Sequence, residues 1–408
     1  MIPMKVWIVN HYADPPDGFS TRSYDLARRM VERGHSITIF ASSFSHYQFR
    51  YVRPTRLLRF WQKENIDGVR YVWIRTTPYH HNDWRRVLNM VSFAAIATLA
   101  GGLDKERPDV VSGVSVHPLA AFAGYVLARV KRARFLVEVT DLWPQTLIDF
   151  GMLDADSVVA RAMRVMERFL YEHAERIIML WRHTEEYVES LGVSRKKILW
   201  LPHGVELDRY KELRPYTGGT ERPFTVMYLG GFVASMAIET ILGAASVLKH
   251  RHRQDIRFLL VGAGTYRDEI IRQAEEASLD NVEFPPPVPK KDIARAMNNA
   301  DAFIYGLRDL PLYKYGMSLN KLSDYLAGGR PIIFFGKSTY DPVAEANAGF
   351  SIPPGNPDAI ADAVERLVSL SPEERMAMGR RGREYLAEYH NIPRLADRLI
   401  QVIDGSSR

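Results

Sequence analysis

Short apolar, β-branched runs alternate with amphipathic stretches along almost the whole chain. MKVWIVN (4–10) precedes STRSYDLARRMVERG (20–34), where Leu26, Met30 and Val31 recur at helical spacing; Gly34 stops that period before HSITIFAS (35–42). Further strands are predicted over 69–75, 109–115, 133–139, 176–181 and 197–202, with helices between them, among them 117–131 and 157–173. Strands separated by single helices build a parallel, doubly wound sheet. After Gly204 the pattern restarts. Pro215, Gly218, Gly219 and Pro223 punctuate 206–223 as a linker, and strands follow over 224–231, 256–264, 281–285, 301–307, 330–335 and 349–352. The predicted fold class is therefore α/β, with two tandem Rossmann-like domains, 1–205 and 206–385, facing a central cleft. The charged C-terminal stretch 386–408 is expected to form a helix able to return to the first domain. Ligands of such sheets bind beyond the carboxyl ends of the strands.

Composition narrows the class. A chain of 408 residues is long for one core, and 46% hydrophobic with 25% charged residues is ordinary for a globular protein. No cysteine occurs, which excludes disulfides and thiolate metal sites. The N-terminal run reads as a first strand rather than a signal peptide. The net charge of +6 is uneven: residues 1–100 carry 14 Lys and Arg against 7 Asp and Glu. That excess suggests an anionic partner or a merely solubilising surface. RPTRLLRFWQK (53–63) interleaves arginines with Leu57, Leu58, Phe60 and Trp61, and WRRVLNMVSFAAIATLAGGL (84–103) sets Trp84, Arg85 and Arg86 before an apolar stretch. A helix over 87–102, about 24 Å long and interrupted by Asn89, is short for spanning a bilayer. It is read either as a helix in the headgroup layer or as a buried helix of the first domain. No nucleic-acid-binding pattern accompanies the charge, so nucleic acid is not an expected partner.

Candidate chemistry concentrates in GMSLNKLSDYLAGGRPII (316–333). Ser318 is placed as N-cap of a helix over 319–327, ended by Gly328-Gly329. Free N–H groups and the helix dipole at such a start attract phosphate, and Lys321 adds a full charge. Asn320, Lys321 and Asp324 share one face, where a carboxylate can accept both ribose hydroxyls. An ordinary capped surface helix with a Lys–Asp pair would carry the same residues. Gly230-Gly231 follows a strand where a missing Cβ admits close backbone approach, or simply makes a tight turn. VGAG (261–264) is a weak glycine signal, taken as a turn. In the first domain, Gly18 lies in a loop before a helix that Ser20 or Thr21 would cap. Glu138 and Asp141 (VEVTDLWP) and His117 (SVHPLAAF) fall at strand ends; each has a structural alternative as a cap or a satisfied core group. His203 is read as part of the hinge. No DxD at a strand end and no i, i+4 histidine pair beside a carboxylate points to a metal.

Taken together, LARRMVERGHSITIFAS (26–42), RPDVVSG (107–113), VEVTDLWPQTL (137–147), HAERIIML (173–180), KKILWLPHGVELDRY (196–210), FTVMYLGG (224–231), FLLVGAG (258–264), NVEFPPPVPKKDI (281–293) and MSLNKLSDYLAGGRPII (317–333) resemble a known family. The chain is similar to the retaining GT-B glycosyltransferases of the bacterial surface-polysaccharide branch, family 4-like. The resemblance implies transfer of a sugar from a nucleotide donor, most readily UDP-linked, to a lipid-linked saccharide. The basic and apolar segments 53–63 and 84–103 add the expectation that the first domain docks on an anionic membrane surface, on the cytoplasmic side, to collect a polyprenyl-diphosphate-linked acceptor. The resemblance also implies a metal-free, cofactor-free site, with donor contacts from Gly18, Gly230, Gly231, Val288 against uracil, Arg308, Ser318, Asn320, Lys321 and Asp324. Asp324 takes the place of the second acid of the family's Glu-x7-Glu motif. Gly316 stands where the first acid belongs, and the family's basic pair after Gly230-Gly231 is replaced by FVASMAIE. His117, Glu138 and Asp141 are the implied catalytic candidates. The rivals are an epimerase or hydrolase of the same fold, and a donor-binding scaffold without turnover.

Overall fold

The computed structural model describes residues 2–53, 59–81, 83–218 and 223–405. The chain divides into two compact units, Met1–Pro202 with Ile392–Arg408, and His203–Asn391. The second unit starts at His203 rather than 206 and continues past 385, because the helix Pro372–Tyr389 runs unbroken across the expected boundary.

In the first unit the strands are Lys5–Val9 (β1), Ser36–Ser42 (β2), a small hairpin of Phe44–Ser45 (β3) and Arg50–Tyr51 (β4), Trp61–Ile66 (β5), Val69–Ile74 (β6), Val110–Val114 (β7), Arg134–Val139 (β8), Arg176–Met179 (β9) and Ile198–Trp200 (β10). Eight of them form one sheet in the order β10-β9-β8-β7-β1-β2-β6-β5. Val6 and Ile8 of β1 pack with Leu26 and Met30 of the helix Arg22–Glu32, and with Leu395, Leu399 and Ile403 of the helix Ile392–Ile403. Arg33 Nε lies 2.5 Å from Asp397 Oδ1 beside that apolar seam. Every pairing in the sheet is parallel except β5 with β6, which is antiparallel.

β5 corrects the sequence reading. WQKENI is too polar to register as a strand, yet an edge strand needs only one covered side, and its charges guard the open edge. Arg53, which opens the basic segment before it, is also less available than expected. It lies over the Trp73 ring at 5.4 Å and within 3.4 Å of Glu64 and 3.6 Å of Asp17. Leu57 and Leu58 lie outside the described residues.

The helix Trp84–Leu103 has 20 residues and is long and apolar enough to cross a membrane by length and composition. The shorter helix read from the sequence is thereby corrected. Asn89 does not interrupt it: the side chain is buried and donates to Thr76 Oγ1 at 2.8 Å. With Phe93, Ala97, Ala100 and Gly101 it forms the inward face, while Trp84 (65% exposed), Val87, Leu88, Val91, Leu99 and Leu103 (67%) point outward.

The second unit contains Phe224–Leu229 (β11), Ile256–Val261 (β12), Val282–Glu283 (β13), Ala302–Gly306 (β14), Ile332–Phe335 (β15) and Gly349–Ile352 (β16), ordered β13-β12-β11-β14-β15-β16 and parallel throughout. The order reverses between β11 and β14, where an open α/β sheet leaves a crevice for a ligand. In the first sheet the corresponding reversal lies between β1 and β7.

Candidate functional site

At the reversal in the second sheet, Gly230-Gly231 follow β11 and Leu307-Arg308 follow β14. The helix Asn320–Gly328 runs into β15 beside them and ends on Gly329, whose φ of 64° is left-handed. Lys321 reaches from its first turn back to the glycines. Its Nζ donates to the Tyr228 hydroxyl at 2.7 Å and lies 4.4 Å from the centre of the Tyr228 ring. A Cβ on Gly230 would come within 2.8 Å of Lys321 Cε and Nζ, so the missing side chain makes room for the lysine. The loop after β12 is stitched to the same turn. Gly230 N donates to Val261 O at 3.0 Å and Phe232 N to Ala263 O at 2.9 Å, and a Cβ on Gly262 would meet Gly230 O at 1.8 Å. VGAG is therefore more than a turn: it lets two loop backbones lie side by side.

Electrostatics set this turn apart. Lys321 is half-buried, and burial pulls its amine down to about 7, with Asp324 pulling the other way. Burial raises the Asp324 carboxyl above its ordinary range, opposed first by the Tyr210 hydroxyl, which donates to Asp324 Oδ1, and then by Lys290 and Arg209. An amine and a carboxylate one turn apart are thus held part-desolvated without forming an ion pair with each other. Such a pair of perturbed groups at a sheet reversal marks a ligand site more often than a structural one.

The remaining expected donor residues are distributed unevenly. Asn320 is exposed on the same face. Ser318 is not the N-cap: the helix begins at Asn320, Leu319 holds the cap position, and no side chain caps it. The Ser318 hydroxyl is buried without a hydrogen-bond partner among the described residues. Arg308 Nη2 lies 2.7 Å from Glu239 Oε1, at the start of the helix Ile238–His250, an exposed pair. Val288 is half-buried in the irregular segment after β13. Gly18 belongs to the first unit, where Asp14 rather than an external anion occupies the loop. Asp14 Oδ2 accepts Phe19 N at 2.9 Å and Ser20 N at 3.0 Å, and a Cβ on Gly18 would press on Asp14 Cβ at 2.3 Å. Thr21 holds the N-cap position of the helix that follows, but its side chain caps no backbone N–H; Thr21 Oγ1 instead donates to Asp25 Oδ2 at 2.7 Å.

Two of the three catalytic candidates are consumed by the first unit's own structure. Glu138 and Arg22 form a buried pair at 3.0 Å, both side chains 8% exposed, and Arg22 also donates to Leu201 O at 2.8 Å and Pro202 O at 2.5 Å. His117 caps the helix Pro118–Lys131, its Nδ1 accepting Ala120 N at 3.2 Å. That bond puts the proton on Nε2, which faces His11 Nδ1 at 2.6 Å, so both ring nitrogens are engaged. Burial, and then the charge of Arg86, bring the His117 imidazole down to about 3, so it stays neutral. Asp141 differs. It stands in the loop after β8, only half-buried, and burial raises its carboxyl with only the Thr140 hydroxyl opposing. It caps no helix; Pro144 holds the cap position before Gln145–Asp149.

A model of the Glycosyl transferase 4-like domain matches residues 17–204, and one of the Glycosyl transferases group 1 matches residues 210–385. The chain belongs to the family 4-like glycosyltransferases. A curated relative, a probable glycosyltransferase WbjE of Pseudomonas aeruginosa, is 21% identical over 248 residues, 58% of this chain and 60% of that protein. The match therefore spans less than two thirds of the relative's length. Among solved structures, a sucrose-phosphate synthase of Thermosynechococcus elongatus superposes with a TM-score of 0.75 at 18% identity, covering 99% of each chain. WaaG, a glycosyltransferase involved in lipopolysaccharide biosynthesis, gives 0.67 at 15% identity over 98% of this chain and 100% of its own. HepE of Anabaena, in complex with UDP and glucose, gives 0.68 at 11% with the same coverage. These likenesses establish the GT-B fold.

Within that family the odd feature of this chain is Gly316, and its backbone explains why no acid stands there. It ends the 3-10 turn Pro311–Tyr315 with φ of 95° and ψ of −161°, a conformation that only glycine adopts without strain. Sequence reasoning missed Tyr228 and Tyr210, the two hydroxyls that hold Lys321 and Asp324. Tyr228 sits inside an apolar strand and reads as core, and Tyr210 sits in what reads as linker. No local signal separates either from its surroundings.

Proposed function

We propose that this glycosyltransferase binds a nucleoside-diphosphate sugar, UDP-linked, at the amino end of the 320–328 helix and transfers the sugar with retention to a lipid-linked saccharide. The observation that carries the reading is the Lys321–Gly230 contact, which sets a part-desolvated amine against a backbone without Cβ at the sheet reversal. A diphosphate there would charge the amine, and the Asp324 carboxylate would accept ribose hydroxyls. UDP and UDP-sugar complexes among proteins of the same fold support the choice of base.

The chemistry needs no resident metal. The bond from the anomeric carbon to the diphosphate oxygen breaks as the acceptor oxygen attacks the same face, and the acceptor's proton passes to the leaving phosphate. Lys321 meets the charge that accumulates there; one such contact is usually worth about 3–4 kcal/mol of transition-state stabilisation. Asp141, with its raised carboxyl and no cation paired to it among the described residues, is assigned to orienting the acceptor hydroxyl.

The outward face of the 84–103 helix supports a peripheral position on the cytoplasmic side of a membrane. Trp84 and Arg85 stack at 5.7 Å at its start, and the apolar row from Val87 to Leu103 is long enough to lie in the headgroup layer of anionic lipid.

A thermal-shift screen of UDP-, GDP- and ADP-sugars tests the donor, with stabilisation expected from the UDP series. UDP release that requires an acceptor pool separates transfer from epimerisation or hydrolysis. NMR of the product should show the donor's anomeric configuration; an inverted linkage would refute the retaining mechanism.

A further inference from the structure

Tyr228 is wholly buried at the end of β11, yet its hydroxyl is not idle. It donates to Gly231 O at 2.5 Å and accepts the Lys321 ammonium at 2.7 Å, while its ring lies under the same ammonium. The Gly231 carbonyl also accepts Val233 N at 3.2 Å, so the turn after β11 is fixed from both sides. One hydroxyl thus ties together the glycine turn and the cation that replaces the basic residues absent from FVASMAIE.

We propose that Tyr228 is a positioning residue for the donor diphosphate: its hydroxyl and ring hold the Lys321 ammonium over Gly230 and register that charge with the glycine turn. The proposal rests on the donor-site reading above. Two physical consequences make it specific. A lysine has four rotatable stem bonds and is otherwise a mobile point charge, so an acceptor at one fixed place removes the search for the productive rotamer. Burial alone makes the amine give up its proton near neutrality, and a tyrosine oxygen that accepts from the ammonium but cannot donate to it favours the charged form. Tyr228 cannot itself supply negative charge here, because burial pushes its hydroxyl far above its ordinary range.

The test is a double-mutant cycle on UDP binding, measured calorimetrically from about pH 7.5 to 8.5, where the terminal phosphate is ionised and the base is still neutral. GDP is run in parallel, and thermal melts check that each variant is folded. Wild-type affinity should fall as pH rises through the lysine's range. Tyr228→Phe keeps the ring and removes the hydroxyl; it should weaken UDP about 10-fold and move the fall to lower pH. Lys321→Met should bind most weakly, with a flat profile, and the double variant should match Lys321→Met alone. Losses that add in the double variant, or a Tyr228→Phe protein with wild-type affinity and profile, would overturn the positioning role. If Lys321→Met binds UDP as tightly as wild type, or if neither nucleotide binds wild type, the donor-site reading fails and the proposal with it.

Discussion

Replacing Lys321 with methionine should stabilise the ligand-free protein, and the size of the gain should depend on pH. The amine titrates near 7 in the fold against 10.5 in the open chain. Below pH 7 both states carry the proton, and the folded state bears the whole cost of confining it. Between pH 7 and 10.5 only the unfolded chain is charged, so wild type regains stability as pH rises. At 1.36 kcal/mol per unit the difference approaches about 5 kcal/mol at pH 6 and falls to about 1 kcal/mol at pH 10. The side chain is only half-buried, and water reaching it should halve these values, leaving about 2–3 kcal/mol at pH 6. Methionine loses the bond to Tyr228, but that hydroxyl keeps its carbonyl partner at Gly231, so little is left unsatisfied. Urea unfolding of both proteins at pH 6, 8 and 10, without nucleotide, measures the difference directly. A variant less stable than wild type, or a gap that does not close with rising pH, would mean that the amine is not desolvated and that the turn is an ordinary surface.

Four further outcomes follow from the same structure. Glu167 is buried with the hydroxyls of Tyr171 and Tyr187 on its carboxylate, and burial raises it to about 8, so the folded state holds a proton that the unfolded chain loses above about pH 4.5. Wild type should therefore lose about 3–4 kcal/mol between pH 5 and 8 relative to Glu167→Gln, and parallel stability curves would refute this. Glu138→Ala leaves Arg22 buried and unpaired and should cost about 3–5 kcal/mol in urea unfolding while leaving UDP affinity unchanged. Gly316→Glu, which writes the family's first acid back into the motif, should lower stability by about 1–3 kcal/mol and fail to improve turnover. Vesicle flotation should recover wild type with anionic lipid, and recovery should drop when Val91 and Leu99 are changed together to glutamine.

The fold was legible because both sheets are nearly parallel and buried on two faces. Their strands are continuous apolar runs, and the helices between them keep one stripe, so period alone separates the two. Where that physics lapses, reading lapses with it. β5 lies at an edge and is polar, and Asn89 looks like a flaw in the apolar 84–103 helix until its inward partners are known. Two of the first domain's three catalytic candidates are tied up by structural partners for a related reason. A strand-end acid or a helix-start histidine is chemically ambiguous in one dimension. Glu138 is claimed by an arginine 116 residues earlier and His117 by a histidine 106 residues earlier, and neither partner leaves a trace in the neighbouring sequence.

The donor turn shows the opposite case and its limit. Lys321 and Asp324 could be found because one helix carries both, and helical spacing is a local property. What makes them a site is not local. Lys321 needs Gly230, 91 residues away, to have no Cβ and Tyr228, 93 residues away, to offer an oxygen; Asp324 needs Tyr210, 114 residues away. Gly230 looked like a concession to ligand phosphate, and in the fold it first accommodates the protein's own lysine. On the donor-site reading, a chain that lacks the family's basic residues after that turn carries the charge on a different element, with the turn packed against it. On that reading Gly230 serves two purposes, and a substitution there should displace Lys321 before it touches any donor.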